Sequence, residues 1–174
     1  MINVGKLDLG TNYWIFKVKN DSNEEYARTG LEIFQHRMPE NFWGLREHND
    51  AGRKTPNVAH LKNGDCVLFY LVGKYCFLGT RVLKSTFRSN LTPEELKPIT
   101  HPEYLDWKTG VFLEELTSDD DWSKKPLPIE RVRGKVDFVP RDNNWGQHLR
   151  GSITRISRED FEMVIREHML FLSK

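Results

Sequence analysis

Cysteine is scarce in this chain. Only Cys66 and Cys76 occur in 174 residues, too few for a disulfide scaffold. Both lie in apolar, strand-like runs, so the sequence reads them as buried thiols, which fits a cytoplasmic setting. Long apolar runs are also missing. None approaches the ~20 residues that span a membrane, so no membrane partner is expected. The start, Met1-Ile2-Asn3-Val4-Gly5-Lys6, lacks the apolar core of a signal peptide. Neither sign of charge is in excess: 26 Lys and Arg against 25 Asp and Glu leave +1. A uniformly basic nucleic-acid coat is thereby excluded, but a local basic face is not.

Catalytic signatures are missing as well. There is no G-x-x-x-x-G-K-S/T, G-x-G-x-x-G, H-E-x-x-H, C-x-x-C or G-x-S-x-G. Asp137 begins D-F-V-P-R, but no E-x-K follows to complete a nuclease-like set. The six histidines are scattered. Cys66 and Cys76 sit in expected core strands, which argues against zinc. Asp119-Asp120-Asp121 reads as an exposed acidic turn before it reads as a Mg²⁺ site. The chain is therefore expected to be a binding module with no catalytic residues, no metal and no cofactor.

What is present suits one domain over residues 1–174. Hydrophobic residues make up 38% and charged ones 29%, the balance of a globular protein with its own core. Residues 12–19 alternate as a strand, with Trp14, Phe16 and Val18 on one face. Residues 65–71 and 75–84 form two further strands, with Gly73-Lys74 suited to a tight hairpin turn between them. Residues 110–116 give another strand, and 135–139 one more. Asp21 or Ser22 is placed to cap a short helix. Thr92-Pro93-Glu94-Glu95 is a capping-box helix start. Ser157 caps a last helix whose Phe161, Val164, Ile165 and His168 share one face. Residues 37–56 read as a long loop. The expected fold is α+β, a small curved and mostly antiparallel sheet or barrel flanked by helices.

Two tryptophans stand apart from these elements. Trp43, in Phe42-Trp43-Gly44-Leu45-Arg46, and Trp107, in Asp106-Trp107-Lys108, both fall in polar, Gly- and Pro-punctuated segments. Large rings in such places often contact something outside the core. Together they suggest an aromatic slot for a flat or methylated group. Basic residues are available for phosphates: Arg46, Arg53 and Lys54 after the first ring, Lys84 and Arg88 after the hairpin, and Arg141 and Arg150 around Trp145.

Several segments together resemble the EVE and YTH branch of the PUA-like superfamily. They are Tyr13-Trp14-Ile15-Phe16-Lys17, Asn41-Phe42-Trp43-Gly44, Leu61-Lys62-Asn63-Gly64-Asp65 with Val67-Leu68-Phe69-Tyr70, Phe77-Leu78-Gly79-Thr80-Arg81-Val82, and Asn144 to Gly151 before the Ser157 helix start. They follow the family's order over residues 12 to 170. The resemblance implies a small barrel that holds a modified base in an aromatic cage. It assigns Trp43, and by order Trp107, to the cage. It places Asn20, Asp21 and Asn23, polar residues after the first strand, against the base edge, and the backbone carbonyl of Trp43 or Gly44 is available to accept from the exocyclic amine. The family's lysine–serine pair is Lys17-Val18 here, a departure from the RNA-reading pattern. The resemblance extends to the N-terminal domains of archaeal McrB-type restriction factors. On that reading the partner is methylated double-stranded DNA, N6-methyladenine first, with the base flipped out. The domain would then be fused to a AAA+ GTPase motor that works with a nuclease partner subunit. Two other binding readings stay open: a reader of modified RNA, and a protein-interaction module anchored by its tryptophans. An enzyme acting on a nucleotide-like ligand would have only His48 and His101 as loop candidates.

Overall fold

Residues 13–18 carry large apolar side chains on both sides of the strand, so they belong between two layers. The structure, a computed structural model, describes residues 11–20, 28–48, 51–99, 108–142 and 144–174. In it β1 (Tyr13–Val18) is a central strand. It pairs in parallel with β3 (Cys66–Leu71) and antiparallel with β7 (Ile153–Ile156). The remaining strands are β2 (Phe42–Gly44), β4 (Cys76–Leu83), β5 (Gly110–Glu115) and β6 (Leu127–Pro128). The order across the sheet is β2-β5-β4-β3-β1-β7, with β6 on the end of β4. The α+β fold is thus as the sequence implies, with one parallel pair in a mostly antiparallel sheet.

The sheet is curled. Trp43 of β2 and Ile153 of β7 stand at opposite ends of the order yet share one apolar cluster. The Asn57 side chain donates to the Ile153 carbonyl at 3.0 Å, across the gap between those ends. The cluster inside the curl holds Trp14, Phe16 and Val18, with Val67, Phe69 and Leu71 of β3. Helix α1 (Gly30–Arg37) closes it with Ile33 and Phe34. Thr29 caps α1 with a capping box to Glu32. The alternate residues Tyr13, Ile15, Cys66, Leu68 and Tyr70 face outward into a second cluster. There they meet Phe161, Val164 and Ile165 of the last helix, α4 (Arg158–Leu172). Full burial of side chains of this size is worth about 1.5–3 kcal/mol each, so period-2 alternation fixes both layers at once.

One carboxylate fixes the register of the parallel pair. Asp65 is 1% exposed. Its Oδ1 accepts from the Asn12 backbone N–H at 2.9 Å and from Asn12 Nδ2 at 3.0 Å. Its Oδ2 accepts from Trp14 Nε1 at 2.8 Å and from the Lys62 N–H at 3.0 Å. Gly64, at φ 89°, turns the chain into this position.

Other expectations are met or corrected. The β3–β4 hairpin forms, but Leu71 faces Cys76, so its loop is four residues long rather than a two-residue turn. Gly73 and Tyr75 take positive φ there. Cys66 and Cys76 are free thiols at opposite ends of the hairpin. Burial, with the neighbouring Asp65 charge, pushes the Cys66 thiol up to about 12. Thr92 caps α2 (Pro93–Leu96) through its capping box with Glu95. Residues 135–139 are not a strand. They belong to a turn in which Gly134, at φ 71°, donates to the Val139 carbonyl, and Val136, Phe138 and Val139 all pack into the outer cluster. Residues 37–56 hold a 3-10 turn (Met38–Glu40) and β2, not only loop. The acidic run opens a helix, α3 (Asp119–Lys124). Asp21 and Ser22 lie outside the described residues.

Trp122 of α3 is a core residue. It is 1% exposed and stacks flat on His168 at 3.5 Å, and its Nε1 donates to Thr117 Oγ1 at 2.6 Å. His168 Nε2–H donates to the Lys125 carbonyl at 3.1 Å. Burial is the largest influence on the imidazole and holds its pKa below 6.5. No described helix is long and apolar enough to cross a membrane.

Asp65→Ala leaves four donors without their acceptor, the Trp14 indole N–H buried and the other three part-buried, and should cost about 3 kcal/mol or more, lowering Tm by roughly 6–12 °C. An unchanged Tm in a thermal melt would contradict the role given to Asp65. His168 is neutral when folded and takes up a proton more readily when unfolded. Its contribution is therefore complete above about pH 6.5 and is lost as pH falls through the window below it. Asp160 acts in the opposite sense at lower pH, since burial raises its carboxyl above 3.8. Between about pH 7 and 5.5, Tm should fall in the wild type and fall less in His168→Gln, which keeps a donor but does not titrate. Equal slopes would remove His168 from the explanation.

Candidate functional site

Trp43 is placed by a very short strand. Asn41, at φ 51°, ends the 3-10 turn and sends the chain into β2. There Phe42 faces Phe112, Trp43 faces Val111 and Gly44 faces Gly110 of β5. Phe42 enters a small cluster with Leu91, Leu96 and Ile99, and Trp43 enters the interior of the curl. The loop position expected for Trp43 is thereby corrected. Trp43 as a whole is 4% exposed. The indole lies near edge-on to Phe69, with centroids 4.8 Å apart. The Arg37 guanidinium lies over the ring, 4.7 Å from its centroid.

Gly110 makes this placement possible. A Cβ there would lie 2.3 Å from the Trp43 carbonyl oxygen and 2.5 Å from the Phe42 ring. The ladder also sorts the backbone groups. Leu113 N–H donates to the Asn41 carbonyl, and Leu45 N–H to the Thr109 carbonyl, both between directly opposed residues. By the antiparallel alternation Trp43 is then also a hydrogen-bonded pair with Val111, and the backbone groups of Gly44 face away from β5. β2 is the end strand of the order, so among the described residues that edge borders no further strand, and Gly44 itself is buried.

The expected base-edge residues fare differently. Asn20 is exposed, and its Oδ1 accepts from the Gly30 N–H at 2.8 Å, tying the end of β1 to the start of α1. Asp21, Asn23 and Trp107 lie outside the described residues, as does His101. Lys17, on the same strand as Asn20's approach, has its pKa lowered by burial and by Lys19.

The basic residues divide into two groups. Arg46 is exposed one residue beyond Leu45. Arg53 and Lys54 are exposed on a small loop closed by the His48–Lys54 bridge and by Thr55 N–H donating to the Glu47 carbonyl. Arg88 bridges to Gly110, which faces Gly44. Its guanidinium pairs with Glu95 at 2.8 Å, and Lys84 pairs with Glu114 at 2.9 Å. Pairs this exposed are worth at most about 1 kcal/mol, so a phosphate can compete for the cations. Arg141 and Arg150 are elsewhere. Arg141 lies against Gly134, and Arg150 follows Leu149 of the outer cluster, which the sheet separates from Trp43. Trp145 is half-buried and meets Tyr75 edge-on at 5.8 Å.

A cleft of about 720 Å³ opens beside β2, lined by Met38, Asn41, Arg81, Lys84, Leu113 and Glu115, among others. Arg81 is 1% exposed, and its Nη1 donates to the Thr80 carbonyl at 2.9 Å. Sequence reasoning missed both Arg81 and Arg37. The alternation of Arg81 with Leu83 is the signal that places it inside the curl. Nothing local marks Arg37, because its contact with Trp43 is tertiary. Among the described residues no group of three or more His, Cys, Asp or Glu is arranged to hold a metal ion.

No family model matches the chain, and no curated protein matches it in sequence. Solved structures do match in fold. The chain is similar to the YTH domain of Zygosaccharomyces rouxii MRB1 in complex with N6-methyladenosine RNA, with TM-score 0.57 and 11% identity, covering 93% of this chain and 89% of that one. It is also similar to human THYN1 in complex with 5-methylcytosine-containing DNA, with TM-score 0.54 and 15% identity, covering 91% and 98%. A third match is a structural-genomics target from Agrobacterium tumefaciens, with TM-score 0.52 and 16% identity, covering 91% and 93%. The chain therefore has the α+β fold of YTH domains and THYN1.

Gly110→Ala tests the β2 geometry. Forcing a methyl into this contact should cost about 1–3 kcal/mol or more and lower Tm by roughly 3–10 °C. A Tm equal to that of the wild type would mean that β2 is not held as described.

Proposed function

We propose that this domain reads a methylated base in nucleic acid, stacking the base on Trp43 after taking it out of its own stack. The observation that carries this reading is the placement of Trp43. A large indole is fixed on an end strand, beside a backbone edge at Gly44 and the exposed cations Arg46, Arg53 and Lys54. Two proteins of the same fold were solved with methylated nucleic acid, one with RNA and one with DNA.

The energetics set what to expect. Flipping a base from a duplex costs a few kcal/mol, and stacking returns about 1–3 kcal/mol. A methyl group that fills an apolar gap adds about 1 kcal/mol, so discrimination from shape alone is about five-fold. Edge contacts must supply the rest. In this reading Trp107 forms the second wall of the slot. Gly44 offers the base edge the backbone groups that face away from β5. Asn20 acts through its amide nitrogen, since its oxygen is held by Gly30, while Asp21 accepts and Asn23 donates. Arg46, Arg53, Lys54, Lys84 and Arg88 take the phosphates. Arg141 and Arg150 contact only nucleic acid that reaches the outer layer.

The preferred ligand is methylated double-stranded DNA carrying N6-methyladenine. The finer reading is a targeting module of a McrB-type restriction system, in which a AAA+ GTPase motor and a nuclease partner subunit do the cutting. The domain then needs no catalytic residue or cofactor of its own. Modified RNA is the second reading, and the YTH complex favours it.

The test is a titration against matched duplexes carrying adenine, N6-methyladenine, cytosine or 5-methylcytosine, and against a single-stranded RNA with and without N6-methyladenosine. One modified ligand should bind about five-fold or more tighter than its unmodified match, and Trp43→Ala should abolish the preference. Affinity should fall steeply with salt. Equal binding to all ligands, unaffected by Trp43→Ala, would refute the reading.

A further inference from the structure

We propose that Arg37 is a built-in occupant of the stacking face of Trp43, which a base must displace before it can bind. This inference rests on the reading of Trp43 as a base platform. Two side chains pack on the indole. Phe69 approaches it near edge-on at 4.8 Å, and the Arg37 guanidinium covers it at 4.7 Å. Neither partner of the second contact is open to solvent: Arg37 is 7% exposed and Trp43 4%. A guanidinium is flat and delocalised, and it stacks on an aromatic face much as a base does. Arg37 thus holds the place that the base would take.

The position of Arg37 in the chain suits this role. It is the last residue of α1 and immediately precedes the 3-10 turn that leads into β2. Arg37 lies outside the β2–β5 ladder, so a movement of its side chain leaves those backbone bonds in place.

The thermodynamic consequence is specific. An occupant that must leave lowers the affinity for every base by the same factor, the fraction of molecules with the face open. Removing it tightens binding to methylated and unmethylated ligands alike and leaves their ratio unchanged. A residue that touched the methyl group would change the ratio. From the usual strength of a cation–π contact, the gain is about 3- to 30-fold.

The experiment compares wild type, Arg37→Ala, Arg37→Gln and Trp43→Ala against the N6-methyladenine duplex and its unmodified match, after thermal melts establish that each variant is folded. Both Arg37 variants should bind each duplex about 3- to 30-fold tighter than wild type, at an unchanged ratio, while Trp43→Ala loses the preference. In the wild type the Arg37 δ-methylene protons should be shifted upfield by the indole and should return to ordinary values when ligand saturates the protein, a readout that requires no variant. Arg37 variants that bind no tighter than wild type, or an upfield shift that persists at saturation, overturn the role of Arg37 and leave the reader intact if Trp43→Ala still abolishes the preference. A Trp43→Ala protein that binds like wild type overturns the reader reading, and this inference with it.

Discussion

The buried carboxylate of Asp65 is the interaction on which the rest of the architecture depends. A parallel strand pair has no hairpin to set its register, so something else must. Here Asp65 takes the backbone and side-chain donors of Asn12, the indole of Trp14 and the backbone of Lys62 in one stroke. The start of β1 is thereby locked to the start of β3. Slipping that register by one residue would move Trp14 and Phe16 from the inner cluster to the outer one. Such a carboxylate is tolerable in an apolar setting only because donors surround it. The K-x-G-D pattern in the sequence is therefore structural: Gly64 supplies the positive φ, and Asp65 supplies the acceptor.

With β1 and β3 fixed, the tryptophans acquire different meanings. Trp14 is committed to Asp65 and Trp122 to His168 and Thr117. Each has its N–H satisfied inside the protein, as buried indoles require. Trp43 is held by the short β2 strand, by Phe69 against its ring and by a guanidinium laid over it. A guanidinium over a ring is a contact that another planar group can replace.

Much of this was legible in the sequence because the signals are local. The β3–β4 hairpin followed from two apolar runs around Gly73. The Thr92 and Ser157 caps followed from the spacing of a hydroxyl and an acid. The buried face of α4 followed from its helical period. The misreadings fall where tertiary pairing decides. β2 is three residues long, follows Pro39 closely and ends at Gly44, and exists because Gly110, far along the chain, lets β5 approach it. Residues 135–139 carry an apolar pattern that resembles a strand, but Gly134 turns them back on themselves to fill the outer cluster. The grouping of Arg88 with Gly44, and the removal of Arg141 and Arg150 to the outer layer, depend on strand order, which no short window contains. Arg37 over Trp43 was invisible for the same reason.

The central claim is that Trp43, unlike the core residues Trp14 and Trp122, changes its surroundings when nucleic acid binds. The most direct measurement is fluorine NMR of protein labelled with 5-fluorotryptophan, with resonances assigned by single Trp→Phe substitutions and followed during titration with the N6-methyladenine duplex. The account predicts that the Trp43 resonance moves to saturation while those of Trp14 and Trp122 stay in place. A saturated complex in which the Trp43 resonance has not moved would contradict it.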